Sequence, residues 1–261
     1  MRNCKTSFTN IKESIAFLMF ITVVSCNVSP LSHKDITRLN ELGANIIIQQ
    51  DPYNEKTNNI SLMLFDKKGK QVGNENIKIR VNNQELPLSI IQELYYTKKI
   101  RYLGYNIPIS DSYYFEIELP KDSIFPLAFI KAIPIINIKN IKLAEEGTID
   151  LETKIEWKEM KDFDKIRIWK SYKINGENSY GGGPYALSTI KKKIKQNGNC
   201  IVPKSFYKDS ISTITSLYLE FHASKKGLIN HELLVGSNVT LNSIAVKRIE
   251  INMELTNANN K

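Results

Sequence analysis

The side chains best suited to chemistry are few and scattered. The 261-residue sequence holds three histidines, His33, His222 and His231, and three cysteines, Cys4, Cys26 and Cys200. A catalytic zinc site takes about three His, Cys or carboxylate ligands around the ion. His222 and His231 offer two, flanking Lys225-Lys226-Gly227 at a spacing that lets them face each other across a hairpin. Two solvated histidines are the simpler reading, and no metal site is expected. Glycosidases hold two carboxyl groups about 5 to 10 Å apart. Glu145 with Glu146, and Asp162 with Asp164, are the candidate pairs by sequence, but both sit in turn-like segments where solvated carboxylates are ordinary. Asp51-Pro52-Tyr53-Asn54-Glu55 has oxygen ligands without the spacing of a calcium loop. No G-x-S-x-G turn is present to strain a serine nucleophile. The glycine cluster Ser179-Tyr180-Gly181-Gly182-Gly183-Pro184-Tyr185 lacks the G-K-[ST] ending of a phosphate loop and reads as a flexible connection. Its two tyrosines, Tyr180 and Tyr185, are the candidate ligand-binding residues, because exposed Tyr can stack on a sugar or a protein partner. No catalytic residue and no cofactor is expected.

Charge adds two basic tracts. Lys191-Lys192-Lys193-Ile194-Lys195 carries four cations in five residues, and Tyr95-Tyr96-Thr97-Lys98-Lys99-Ile100-Arg101-Tyr102 interleaves cations with aromatics. Inside a cell the second would suggest a platform for single-stranded nucleic acid. The formal charge of +9 points the same way. The N-terminus argues against it. Arg2, Lys5 and Lys12 precede the apolar run Ile15 to Val24. As a helix this run rises about 15 Å, half of a ~30 Å hydrocarbon core, so it suits a signal-peptide core and not a membrane span.

Behind it lies Val23-Val24-Ser25-Cys26, which resembles the lipobox of bacterial lipoproteins. The resemblance implies cleavage before Cys26 and acylation of that cysteine, with palmitate among the acyl chains. Each buried methylene contributes about 0.8 kcal/mol, so several chains on one residue hold a protein at a membrane. Asn27, rather than Asp, after the cysteine is similar to outer-membrane sorting. The expected organisation begins with a signal peptide over 1–25 and an acylated polar tether over 26–43. Removing the peptide takes three basic and one acidic residue from 36 and 27, leaving 33 and 26, a charge of +7. It also leaves Cys200 as the one thiol, so no intramolecular disulfide can form, and a lone Cys in a β-rich segment reads as a small core hydrophobe. With export implied, nucleic acid is set aside as a partner. The lysines read as cover for wet strand faces and edges, with anionic headgroups or acidic glycans as the nearest other partners.

From Ala44 the pattern becomes β. Runs rich in Ile, Val, Tyr and Phe alternate with Gly, Asn, Asp and Pro, the pattern of an antiparallel all-β chain. Strands are expected near 45–50, 59–65, 77–81, 99–105, 112–119 and 129–132. A second series is expected near 149–157, 165–172, 199–202, 216–223 and 243–253. Ile77, Ile79 and Val81 alternate with Lys78 and Arg80, giving one buried and one wet face. Ile244, Val246 and Arg248 run partly out of phase, which a bulge would reconcile. A cut near 134–140 gives a first β-sandwich over 44–135 and a second over 136–256, with a disordered tail at 257–261.

The hairpin Ile77 to Leu86, the strand Tyr113-Tyr114-Phe115-Glu116-Ile117, Ile155-Glu156-Trp157 and Ile201-Val202-Pro203-Lys204-Ser205 resemble elements of tandem immunoglobulin-like and fibronectin-type domains in bacterial envelope lipoproteins. The resemblance implies two consecutive β-sandwiches on a lipid tether in the cell envelope, at the outer membrane. The expected function is non-enzymatic: sandwich loops presented to a glycan, peptide or envelope partner. An accessory part of an outer-membrane nutrient-uptake or surface-assembly complex is the alternative, and a carboxylate-based hydrolase the weakest.

Overall fold

The computed structural model describes residues 31–32, 36–92, 98–120, 123–143, 152–174, 180–183, 189–207 and 212–250. The signal peptide, Cys26, Tyr95, Tyr96, Glu145, Glu146, Tyr185 and the tail lie outside the described residues. The described chain is all-β, joined by three-residue 3-10 turns. Its strands are β1 (Leu31–Ser32), β2 (Gly43–Gln50), β3 (Asn58–Phe65), β4 (Gln71–Val72), β5 (Lys78–Val81), β6 (Gln84–Leu86), β7 (Leu88–Gln92), β8 (Lys98–Ile107), β9 (Ser112–Leu119) and β10 (Ser123–Lys131). They continue as β11 (Ile141–Leu143), β12 (Thr153–Trp157), β13 (Phe163–Ile174), β14 (Tyr180–Gly182), β15 (Ile190–Lys193), β16 (Gly198–Val202), β17 (Ser212–Lys226), β18 (Leu228–Ile229) and β19 (Asn238–Glu250).

Three sheets form. The large one has eleven strands, with the path β1-β4-β3-β2-β19-β17-β13-β14 and with β7, β8 and β15 attached beside it. Five strands, β18-β10-β9-β5-β6, make the second, and β11-β12-β16 the third. Alternation decides which face of the large sheet is buried. Ile46 and Ile48 of β2, Leu62 and Leu64 of β3, Leu219 and Phe221 of β17, and Ile166 and Ile168 of β13 are all buried. The smaller sheets close over this face with Ile79, Tyr113, Phe115, Ile117, Ile155 and Trp157, and the buried residues form one contiguous cluster. Two buried amides are paired: Asn58 donates to the Tyr113 hydroxyl, and the Gln50 amide bonds both the carbonyl and the N–H of Ile133. Trp157 meets Phe221 edge-on at 5.7 Å, a geometry worth about 0.5–1.5 kcal/mol beyond its buried area.

Several local expectations hold as drawn. Asp66 makes the turn after β3, its carboxylate accepting from the N–H groups of Lys68 and Lys70, with Gly69 at φ 74°. Ile79 and Val81 are buried while Lys78 and Arg80 reach out to Glu118. Other expectations are corrected. β10 starts at Ser123, well before residue 129, because a register shift between Pro126 and Ala128 lets the strand carry a proline. His222 and His231 do not face each other. After β17 the chain crosses at Gly227 into β18, which pairs with β10, and His231 lies in the following turn. β19 needs no bulge: it pairs with β17 in continuous register from Thr240 to Glu250. Its inward residues are Val239, Leu241, Ser243 and Ala245, which leaves Ile244 and Val246 exposed on the other face. Tyr102 is buried on the inner face, so the tract around Lys99 and Arg101 carries no row of exposed aromatics there.

Strands from either side of residues 134–140 share the large sheet. β2 runs parallel to β19, pairing Asn45 with Asn238 through Gln50 with Ser243. Such a pairing spans nearly the whole chain, and no local pattern announces it.

Candidate functional site

The outer face of the large sheet, opposite the core, brings together side chains that the sequence scatters from Lys165 to Glu250. Cross-strand partners share a face, so the register maps it directly. Lys193, Lys165, His222 and Ile244 form one row across β15, β13, β17 and β19. Lys191, Arg167, Glu220 and Val246 form the next. Trp169, Tyr218 and Arg248 form a third, and Gly182, Ser171, Ser216 and Glu250 a fourth. Tyr180 and Lys173 begin a fifth.

The third row is an aromatic stack. The rings of Trp169 and Tyr218 lie 3.8 Å apart at 1°, and the Arg248 guanidinium sits 5.6 Å from the Tyr218 centroid on the neighbouring strand. Two parallel rings on adjacent strands stand up from the sheet. One face of Trp169 is therefore taken by Tyr218, and the other points towards β14 and β15. On that side Trp169 lies between the pairs Ile168–Ile190 and Ser171–Gly182. The stack forms an aromatic wall on the outer face.

Glu220 fixes this wall. Its carboxylate accepts 2.8 Å from the Trp169 indole N–H, 2.5 Å from Arg167 Nε, and lies 3.2 Å from His222 Nε2. The Glu220 side chain is 10% exposed and that of Arg167 20%, so the cluster is largely withdrawn from water. The indole N–H is spent on protein, leaving the ring face as what Trp169 offers a ligand. Below, the Ser216 hydroxyl accepts from Arg248 and donates to Glu250, and Arg248 closes an ion pair with Glu250 at 2.9 Å.

Glycine shapes the sheet's edge at β14. Gly182 has φ 107°, and a Cβ there would fall 2.1 Å from the Lys170 carbonyl oxygen. Gly181 lies against the Tyr172 ring, where a Cβ would meet Cε2 at 2.5 Å. Within the glycine cluster, Tyr180–Gly182 is thus an edge strand pressed onto β13, where the composition suggested a flexible connection.

Of the two tyrosines singled out by sequence, Tyr180 is 71% exposed on β14. Its register partner Lys173 stands four residues along β13 from Trp169, about 13 Å at the usual rise. Sequence reasoning missed Trp169 and Tyr218. The signal was present: in Lys165-Ile-Arg-Ile-Trp-Lys, Trp169 falls in phase with Lys165 and Arg167 and out of phase with the buried Ile166 and Ile168.

Glu145 and Glu146 lie outside the described residues. Asp162 is bound to Lys225 at 2.6 Å, and the Asp51 carboxylate accepts from the backbone of Glu55 and Lys56. On the outer face Glu220 and Glu250 are each tied to an arginine. No group of three His, Cys, Asp or Glu among the described residues is placed to hold a metal ion. Cys200 is buried on β16, and burial pushes its thiol up from the ordinary range. A separate concavity of about 650 Å³ is lined by Asn54, Ile109, Asp111, Ile133, Pro134 and Ile135. It has one carboxylate and no aromatic ring to orient a ligand.

No protein-family model matches the sequence, and no curated protein matches it. Among solved structures, the chain is similar to the Yersinia pseudotuberculosis adhesin InvE, at 7% identity and a TM-score of 0.23, over 85% of this chain and 62% of that one. It is also similar to the SGBP-B protein of the Bacteroides ovatus mixed-linkage glucan utilization locus, solved with a mixed-linkage heptasaccharide. There the identity is 11% and the TM-score 0.17, over 82% of this chain and 65% of the other. The chain spans less than two thirds of each.

Proposed function

We propose that this protein is a lipid-anchored, non-enzymatic component of the cell envelope that binds a glycan on the outer face of its large sheet. The observation that carries the binding half is the Trp169–Tyr218–Arg248 stack, a pre-organised aromatic wall on the same sheet face as the glycine-bearing edge strand β14. An indole whose N–H is already bonded and whose plane is clamped loses little freedom on binding, which favours stacking against the apolar face of a sugar ring. Tyr180, on the same face, extends the surface for a longer chain. The anchoring half rests on the N-terminal segment and Cys26.

Affinity electrophoresis of the full chain through gels containing soluble polysaccharides tests the first half. At least one polymer is expected to retard the wild type, and Trp169→Ala is expected to run freely. Equal retardation of both would defeat the assignment. For the anchor, labelled palmitate is expected to enter the intact protein and not Cys26→Ala; equal labelling would defeat it.

A further inference from the structure

The two rows beside Trp169 carry a charge arrangement that the sandwich does not need. Across β15 and β13, Lys193 stands directly opposite Lys165, and Lys191 directly opposite Arg167. Like charges paired in this way destabilise a sheet, and here two such pairs occupy successive outward positions. Arg167 is compensated by Glu220, and Arg248 by Glu250. Lys165, Lys191 and Lys193 are exposed and form no ion pair with any carboxylate among the described residues. A lysine-rich edge strand is a usual guard against aggregation, but that role asks nothing of Lys165, which lies on β13 with strands on both sides. Lys191, in the row next to Trp169, comes about 7 Å along the strands from the aromatic wall.

We infer that the glycan bound at this face is acidic: a polysaccharide bearing carboxylate groups, one ring against Trp169 and neighbouring carboxylates over Lys165, Lys191 and Lys193. This rests on the glycan reading and gives it a charge class. An anionic bilayer would meet the same lysines, but it is matched by apolar tips that enter the lipid. Trp169 presents a sideways plane braced by Tyr218 and Glu220, which suits a chain lying along the sheet. The lysine rows and the aromatic stack occupy successive register positions on one face of the sheet, so an extended polymer touches both at once.

The experiment uses the full chain and a panel of polygalacturonate, alginate and hyaluronate, each beside its carboxyl-reduced, uncharged form, with binding measured by calorimetry at low and high salt. At least one acidic polymer is expected to bind about tenfold or more tighter than its reduced form at low salt, with the advantage shrinking as salt rises. The triple variant Lys165→Gln/Lys191→Gln/Lys193→Gln is expected to lose that advantage while still binding the reduced polymer. Removing like-charge pairs should leave its melting temperature equal or higher, so loss of the fold will not mimic loss of the ligand. Trp169→Ala is expected to weaken both forms. Equal binding of acidic and reduced polymers, or a triple variant that keeps the preference, overturns the acidic assignment and leaves glycan binding standing. If no polymer binds, both readings fall. Lysine-dependent binding to phosphatidylglycerol vesicles without polysaccharide binding overturns both in favour of a lipid surface.

Discussion

Replacing Glu220 by glutamine tests whether the outer-face cluster is a built structure or a chance meeting of surface groups. The amide keeps the shape of the side chain but removes the charge shared by Arg167, Trp169 and His222. A fully exposed ion pair contributes about 0.2–1 kcal/mol, whereas breaking a buried one costs about 3–5 kcal/mol. With side chains 10% and 20% exposed, this pair lies between, and a loss of about 2–3 kcal/mol is expected. For a chain of this size each kcal/mol moves the melting temperature by about 2–4 °C, so Glu220→Gln should melt about 4–12 °C below the wild type. Urea unfolding followed by far-ultraviolet circular dichroism gives the free energy, and near-ultraviolet dichroism reports the Trp169–Tyr218 stack. The loss should persist in 1 M salt, where the Debye length is about 3 Å and exposed pairs are screened. A change under about 0.5 kcal/mol, or one abolished by salt, would refute the claim that Glu220 holds the wall in place.

Gly182→Ala should destabilise by about 1–3 kcal/mol, since the alanine must hold φ 107° and displace the Lys170 carbonyl; amide exchange at Ser171–Lys173 would rise, and unchanged protection would show that β14 adapts freely. The Cys200 thiol should resist alkylation in the native protein and react on addition of denaturant, because it is buried and its ionisation suppressed; rapid native labelling would contradict its place in the core. Alkaline stability follows from the tyrosines: burial pushes Tyr53 up to about 12, and Tyr102, Tyr113 and Tyr207 upward as well. Above about pH 10 the unfolded chain ionises these phenols while the folded chain keeps them neutral. Their contribution is thus complete below pH 10 and is lost as pH rises towards their folded values. Unfolding and phenolate absorbance should appear together in that window; phenolate formed at its ordinary pKa without unfolding would refute it.

Much of the fold was legible because strands announce themselves locally. The alternation of Ile77, Ile79 and Val81 with Lys78 and Arg80, and the Asp66-to-Gly69 turn, depend on neighbours within a few residues. What stayed hidden depended on partners far away. β19 looked out of phase because Ser243 and Ala245, small residues on the core side, read as polar or neutral, while Ile244 and Val246 on the outer side read as core. The side of a strand that is buried is set by which sheet covers it, and that is not local information. The outer-face site shows the same division. Trp169 could have been picked out by its phase with Lys165 and Arg167, but its stacking on Tyr218 requires the register of β13 against β17, and the opposed lysines require that of β15.

The parallel seam between β2 and β19 also dictates timing. β2 is made well before β19, their partners being 193 residues apart from Asn45 to Asn238. A chain that emerges N-terminus first must keep one edge of β2 unpaired, with the apolar run Ile46-Ile47-Ile48 beside it, until the residues between the two strands have appeared. Pairings this distant form slowly, and an open apolar edge is what holdase chaperones recognise and what aggregates when they are absent. Shortening the chain by its last two dozen residues would therefore remove more than a tail: the large sheet would be left unclosed through its middle, with β17 and β2 each missing a neighbour.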